Sequence, residues 1–200
     1  MTSLPQRLRD SARDLPNEPV TLAQLAQAHG AALPGSMLVL LAAPCVLPIP
    51  GIGNVMGTAL AVLALAGWQR GEVGELSGRV AQVRLPAHWA RRILHLLAWF
   101  YAGSGRLCRA RLAGMTELRP RSWMSPLVGL MGGLIFLPIP LGNVLPAAAT
   151  VLLGLGLAFR DGLATLAGCG VALLAVAYTV ALGVGAWSWL LAPVVRWSQA

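Results

Sequence analysis

The chain has 200 residues, 56% of them hydrophobic and only 11% charged, with a mean hydropathy of +0.69. That is too little charge to cover a soluble globule of this size, and it excludes one. The formal net charge of +8 raises nucleic acid as a partner, but every basic residue is an arginine and the arginines flank apolar windows, as topology charges do at a membrane surface; no nucleic-acid partner is expected.

Three windows carry no charge: Pro19 to Gln69, Ser122 to Phe159, and Gly162 to Val195. Each exceeds the roughly 20 residues of one spanning helix, leaving room for two short helices or one long tilted one. The pattern predicts an all-α, polytopic helical membrane protein built from two internal repeats, each a pair of short helices interrupted by a Pro-Ile-Pro/Gly/Asn break. Its expected parts are an N-terminal segment (1–30), a first repeat (31–71), an Arg-rich connector (72–125), a second repeat (126–162) and C-terminal membrane helices with a tail (163–200).

Residues 1–30 carry Arg7, Asp10, Arg13, Asp14 and Glu18 and lack the apolar run and cleavage site of a signal peptide, so the start is expected to be retained in the cytoplasm or at the interface. Within it TLAQLAQAHG, residues 21–30, predicts a short helix at the membrane surface, with Thr21 as its N-cap and Gly30 near its C-terminal end.

The first repeat, residues 36–71, contains LPIPGIGN; the second, 126–162, contains LPIPLGN. Leu47 to Pro50 match Leu137 to Pro140, Asn54 matches Asn143 after a one-residue gap, and Trp68 and Gly71 match Phe159 and Gly162. The apolar runs on either side of each break reach only about 23 to 25 Å as helix, short of a hydrocarbon core of about 30 Å. Such halves suit helices that tilt together or a re-entrant hairpin. Trp68 or Phe159, followed by a charge and Gly, marks the return to the interface.

In each break, Pro-Ile-Pro favours extended backbone and the glycines permit positive φ. Asn54 and Asn143 are expected N-caps for helices beginning at Val55 and just after Asn143, with Pro146 in the first turn of the latter. Both following helices then present free amides and a positive dipole end at the break. Two readings stay open. Outside the membrane the breaks are ordinary hairpin turns. Within it, facing one another, they form an amide-lined site for an anionic solute or a saccharide, with Pro48, Pro50, Gly53, Asn54, Pro138, Pro140, Gly142 and Asn143 as candidate substrate-binding residues. Gly53–Gly57 and Gly129–Gly133 have G-x-x-x-G spacing, which favours close helix packing.

In the connector a helix is expected to begin near Pro86, with Trp89, Ile93, Leu96, Leu97 and Phe100 on its apolar face. Arginines bracket it at 91, 92, 106, 109 and 111, so it is expected to lie along the cytoplasmic interface facing anionic headgroups. Arg119 and Arg121 then offer either a phosphate grip or topology charge. Asp161, beside Arg160, is the candidate functional carboxylate or a plain helix-end charge. The last window has a soft spot at Gly183 and Gly185, predicting two short helices that return the tail to the cytoplasm and place both chain ends inside. That arrangement makes the repeats parallel; inverted repeats require residues 93–105 to cross.

Cys45, Cys108 and Cys169 are widely spaced, and no His or Cys pair has metal-ligand spacing; His88 and His95 lie two turns, about 10 Å, apart. No metal or cofactor is expected. Without a Ser, His and Asp set or a carboxylate pair, the chain is not expected to be an enzyme.

The TLAQLAQAHG helix, LPIPGIGN, the RPR at 119–121 and LPIPLGNVLPAAATVLLGLGLAFRDG occur in that order. In these features the chain resembles the bacterial ExoD exopolysaccharide-synthesis proteins. The resemblance, over most of residues 20–190, implies a multi-pass protein of the bacterial inner membrane that supports exopolysaccharide synthesis or export. Two functions fit it: a transporter that binds an anionic solute or lipid-linked saccharide at the breaks, as a monomer or homo-oligomer, and a non-transporting scaffold that docks polysaccharide machinery through the Arg-rich connector. The depth of the breaks separates them.

Overall fold

The computed structural model describes residues 4–15, 18–47, 51–70, 82, 84–105, 108, 123–137 and 142–197. Among these it forms eight α-helices and one two-stranded ribbon. Pro48, Pro50, Arg119, Arg121, Pro138 and Pro140 lie outside the described residues.

An N-terminal layer comes first. Helix α1 (Leu4–Asp14) buries Leu8 and Ala12, which are one turn apart and so share a face, and leaves Arg9, Asp10 and Arg13 exposed. Val20 pairs with Leu85 and Thr21 with Arg84, antiparallel, tying this layer to the connector. Helix α2 (Leu22–His29) starts as expected: the Gln24 amide donates to Thr21 Oγ1 at 3.3 Å, and the Thr21 amide donates to Gln24 Oε1 at 2.9 Å. This reciprocal pair is a capping box. Gly30, just past the helix, takes φ +52°.

Four apolar helices follow as two broken pairs. Helix α3 (Leu33–Ala42), with Pro34 in its first turn, continues into a 3-10 turn over Ala43–Val46; after the first break comes α4 (Ile52–Arg70). Beyond the connector, α6 (Met124–Phe136) leads through the second break into α7 (Val144–Phe159). The pairs interlock crosswise: α3 packs along α7, and α4 along α6. Glycine contacts fix the directions. A methyl group on Gly57 would lie 2.7 Å from the Gly132 carbonyl oxygen, and one on Gly154 would lie 2.8 Å from that of Gly35. Gly53 meets Ile135 while Ala64 meets Gly129, and Gly35 meets Ala158 while Leu38 meets Gly154. Both pairs therefore run antiparallel, and both breaks lie at the same end of the bundle. Leu38, Ala42, Cys45, Leu60, Ala64, Val128, Ile135 and Ala147 form the core where the pairs meet. The second G-x-x-x-G pattern contributes through Gly129; Gly133 faces open space, and the tight approach is made by Gly132.

Helix α5 (Ala87–Ser104) begins at Pro86, as the sequence predicts. Ala87, Ala90, Leu94, Leu97, Ala98 and Tyr101 are buried within the protein, whereas Trp89 and Leu96 of the expected apolar face, with Trp99, are exposed. The alanines let α5 lie close against α1, where small residues rather than the largest mark the contact, while Tyr101 reaches across to Ser36 of α3 and Phe159 of α7. The Arg91 guanidinium donates to the Leu15 carbonyl at 2.8 Å, joining α5 to the end of α1. On the free face, Arg92 stacks on Trp89 at 5.6 Å from the ring centroid.

The C-terminal window departs from expectation. In place of two short helices, α8 (Gly162–Trp197) runs unbroken through Gly183 and Gly185, packing on α7. A helical glycine costs about 1 kcal/mol, too little to break a helix that contains no competing turn signal there. Among the described residues there is no third hairpin: one helix takes the place of the two short ones. Ile52–Gln69 in α4 and Gly162–Gly185 in α8 are long and apolar enough to cross a membrane, while Leu33–Val46, α6 and α7 are apolar but shorter.

Candidate functional site

The two breaks open alike. Leu47 and Leu137 leave their helices in extended backbone, with ψ of 135° and 130°, because each precedes a proline whose ring disfavours the helical region for its neighbour. They close differently. In the first break Gly51 adopts φ +82°, and this reversal lets α4 start at Ile52. Asn54 is thus the third residue of α4, exposed, with its carbonyl accepting from Thr58 Oγ1 at 2.7 Å. The expectation that Asn54 caps a helix starting at Val55 is corrected. Asn143 does occupy the N-cap position of α7, and Pro146 lies in its first turn, but the Asn143 side chain makes no capping hydrogen bond.

Where that side chain goes defines the site. Gly53 is buried, and a methyl group there would collide with the Asn143 amide nitrogen and lie 2.8 Å from the Ile135 carbonyl oxygen. The Asn143 carboxamide of the second break therefore lies directly on the first turn of α4. Its Oδ1 is buried and has no hydrogen-bond partner. Gly142 beside it is also buried. Helices α4 and α7 both begin here, so their free first-turn amides and positive dipole ends share the neighbourhood, less the amide that Pro146 lacks. The rim is apolar and open: Leu47 is 60% and Leu137 41% exposed.

The donor set is thus backbone N–H, and the acceptor is one carboxamide oxygen. Neither break contains a carboxylate or imidazole. Among the described residues no group of three or more His, Cys, Asp or Glu side chains is placed to hold a metal ion.

Asp161 lies elsewhere. Helix α7 separates it from Asn143 by 16 residues, about 24 Å. Arg160 ends α7 in the left-handed region, at φ 53° and ψ 40°, a C-terminal signature more usual for glycine. Asp161 then caps α8, with Oδ1 accepting from the Leu163 amide at 3.0 Å and the Ala164 amide at 3.4 Å. The carboxylate is 4% exposed. Nearby, burial first and the Asp161 charge second push the Cys108 thiol up. The break residues and Asp161 therefore occupy opposite ends of the bundle, and the latter has a structural task at its end.

Sequence reasoning missed two hydroxyl sites. Tyr101 donates to Ser36 Oγ at 3.0 Å, and Ser36 in turn donates to the Ala32 carbonyl at 3.0 Å, fastening α5 to α3. Ser125, in the first turn of α6, is 1% exposed, and its Oγ has no partner. Nothing in the sequence distinguishes these serines, since burial of a hydroxyl is decided by which helix packs over it.

These features define an all-helical protein, with two helices able to cross a membrane and a carboxamide-lined site free of titrating groups where its broken helices meet. The chain belongs to the ExoD family, described as "Exopolysaccharide synthesis, ExoD", which it matches over residues 4–181. It is 30% identical over 158 residues to Protein ExoD of Rhizobium meliloti (strain 1021), a match covering 76% of this chain and 65% of that protein, slightly under two thirds of its length. No solved structure matches the chain.

Proposed function

We propose that this chain is a multi-pass inner-membrane protein that supports exopolysaccharide production by binding the saccharide portion of a lipid-linked intermediate at its paired breaks, in a transport rather than an enzymatic role. The observation that carries the reading is the buried, unpartnered Oδ1 of Asn143 beside Gly53. An orphaned acceptor costs about 1 to 3 kcal/mol of desolvation unless a ligand supplies a donor. A sugar hydroxyl supplies one and also accepts from first-turn amides, whereas a fully deprotonated anion such as sulfate has only acceptors to offer. This favours a saccharide over a bare anionic solute. Membrane placement is supported by exposed apolar side chains along α4 and α8, including Val62, Leu65, Leu173 and Leu174, a surface that water does not tolerate at this density.

The test is complementation of a host strain lacking its own copy, with secreted polysaccharide assayed beside the amount of protein in the membrane. Asn143→Ala is expected to lower polysaccharide at least tenfold at unchanged protein level, and Asn54→Ala, whose side chain is exposed, less than twofold. Full output from Asn143→Ala refutes the site and leaves the scaffold reading ahead.

A further inference from the structure

A second feature lies at the far end of the bundle from the breaks. Between α4 and α6 is a groove of about 230 Å³, lined by Ala61, Ala64, Leu65, Trp68, Ser125, Pro126 and Gly129. Its walls are mostly hydrocarbon; the polar groups among the lining side chains are the Trp68 indole N–H and the Ser125 hydroxyl, the latter buried and without a partner. Helical hydroxyls elsewhere in the chain solve this problem locally: Ser36, Thr58, Ser104, Thr150 and Thr179 each donate to the carbonyl four residues earlier. Ser125 is the second residue of α6, so that helix has no carbonyl four residues behind it. Among the described residues it has no acceptor, and a molecule in the groove can supply one. Trp68 and Trp123, 61% and 43% exposed, flank this end as indole rings do at a bilayer surface. The neighbouring side chains Val62 and Leu130 are exposed and continue the apolar surface outward.

We infer that this groove holds one membrane lipid, its acyl tail along Ala61, Ala64, Leu65 and Gly129 and an ester or phosphate oxygen accepting the Ser125 hydroxyl hydrogen. A lipid supplies what the groove lacks, a flexible hydrocarbon chain with an acceptor at its polar junction, and it arrives laterally from the bilayer. The inference shares with the proposed function only the placement of the chain in a membrane; the saccharide site is not involved.

The experiment uses the full chain in nanodiscs of phosphatidylethanolamine and phosphatidylglycerol, doped with a phosphatidylglycerol that carries a mid-chain diazirine. After photolysis, adducts are mapped by mass spectrometry. They are expected to concentrate on peptides spanning residues 61–68 and 125–129. Ala61→Phe, which fills the groove, is expected to cut them at least tenfold, leaving adducts at Leu173 and Leu174 of α8 unchanged. Ser125→Ala leaves no new unpaired group and is expected to cut them about fivefold, the weight of one hydrogen bond. Loss of labelling with an ether-linked probe assigns the acceptor as the ester carbonyl, and retention assigns the phosphate. Groove labelling no higher than that of α8 and unmoved by either variant overturns the inference. Absence of label from α8 as well overturns the membrane placement itself, which separates the two failures.

Discussion

Aligned on the shared LPIP phrase, Ser125 takes the position of Gly35, and Leu65 that of Gly154. At Gly35 and Gly154 the α3·α7 pair closes to backbone contact, and α5 lies over it, with Leu94, Leu97 and Tyr101 buried. At Ser125 and Leu65 the α4·α6 pair leaves a groove on its outer side. Its own close approach, Gly57 on Gly132, lies nearer the breaks. The aromatic residues at the ends of the two pairs follow the same division. Phe159 packs edge-on to Tyr101, with ring centroids 5.5 Å apart and an interplanar angle of 82°, whereas its counterpart Trp68 is exposed. Among the described residues, two helical pairs with nearly the same break thus carry different surfaces: Tyr101 of α5 reaches the first at Ser36 and Phe159, while the second keeps an open groove at its far end. The lesson is that the break phrase sets where helices stop, while single residues a few turns away set what can lie against them.

The sharpest way to break this comparison is to weaken both sides equally. Leu94→Ala under α5 is expected to cost about 3 kcal/mol, through lost burial and a cavity, and Leu65→Ala on the bare pair less than about 0.5 kcal/mol; thermal unfolding of the detergent-purified chain reads both. Similar losses would mean that α5 does not lock the α3·α7 pair. A smaller difference is expected between the glycine crossings. A methyl at Gly154 meets Gly35 O at 2.8 Å and Val39 Cγ2 at 2.9 Å, and one at Gly132 meets Gly57 O at 2.9 Å and the Ala61 amide nitrogen at 3.0 Å. Gly154→Ala is expected to cost about 2 kcal/mol, and Gly132→Ala about 1 kcal/mol because its methyl meets its neighbours slightly farther away. The smallest contrast concerns the hydroxyls. Tyr101→Phe removes a donor from Ser36 and is expected to cost about 1 kcal/mol, whereas Ser125→Ala in lipid-free detergent removes an orphan and is expected to be neutral or stabilising.

Much of the helical layout was legible because its punctuation is local. Leu47 and Leu137 leave their helices where proline requires it, Thr21 and Gln24 form their box within one turn, and Pro86 opens α5. The misreadings arose where a distant or global term won. Gly183 and Gly185 look like a hinge by residue type, yet an apolar helix keeps every internal backbone bond and absorbs the small cost of glycine. Asn54 and Asn143 match in sequence, but the extra residue in the first break, with Gly51 at positive φ, lets α4 begin early and strips Asn54 of the capping position. The alanine face of α5 that packs on α1 was not legible, because the close approach of a neighbouring helix selects small residues that carry no signal of their own. At the site, Gly53 and Asn143 were legible as break residues; their direct contact was not, because it depends on the crosswise pairing of four helices.

The central claim is that the two breaks form one water-reachable saccharide site at one end of the bundle. It is tested most directly by single cysteines at the exposed positions Leu47→Cys and Leu137→Cys, in a background lacking Cys45, Cys108 and Cys169, treated with a membrane-impermeant thiol reagent in intact cells and in inside-out vesicles. Both cysteines are expected to react in the same preparation and to stay unlabelled in the other. Reaction of one in cells and the other in vesicles would place the breaks on opposite faces and contradict the shared site.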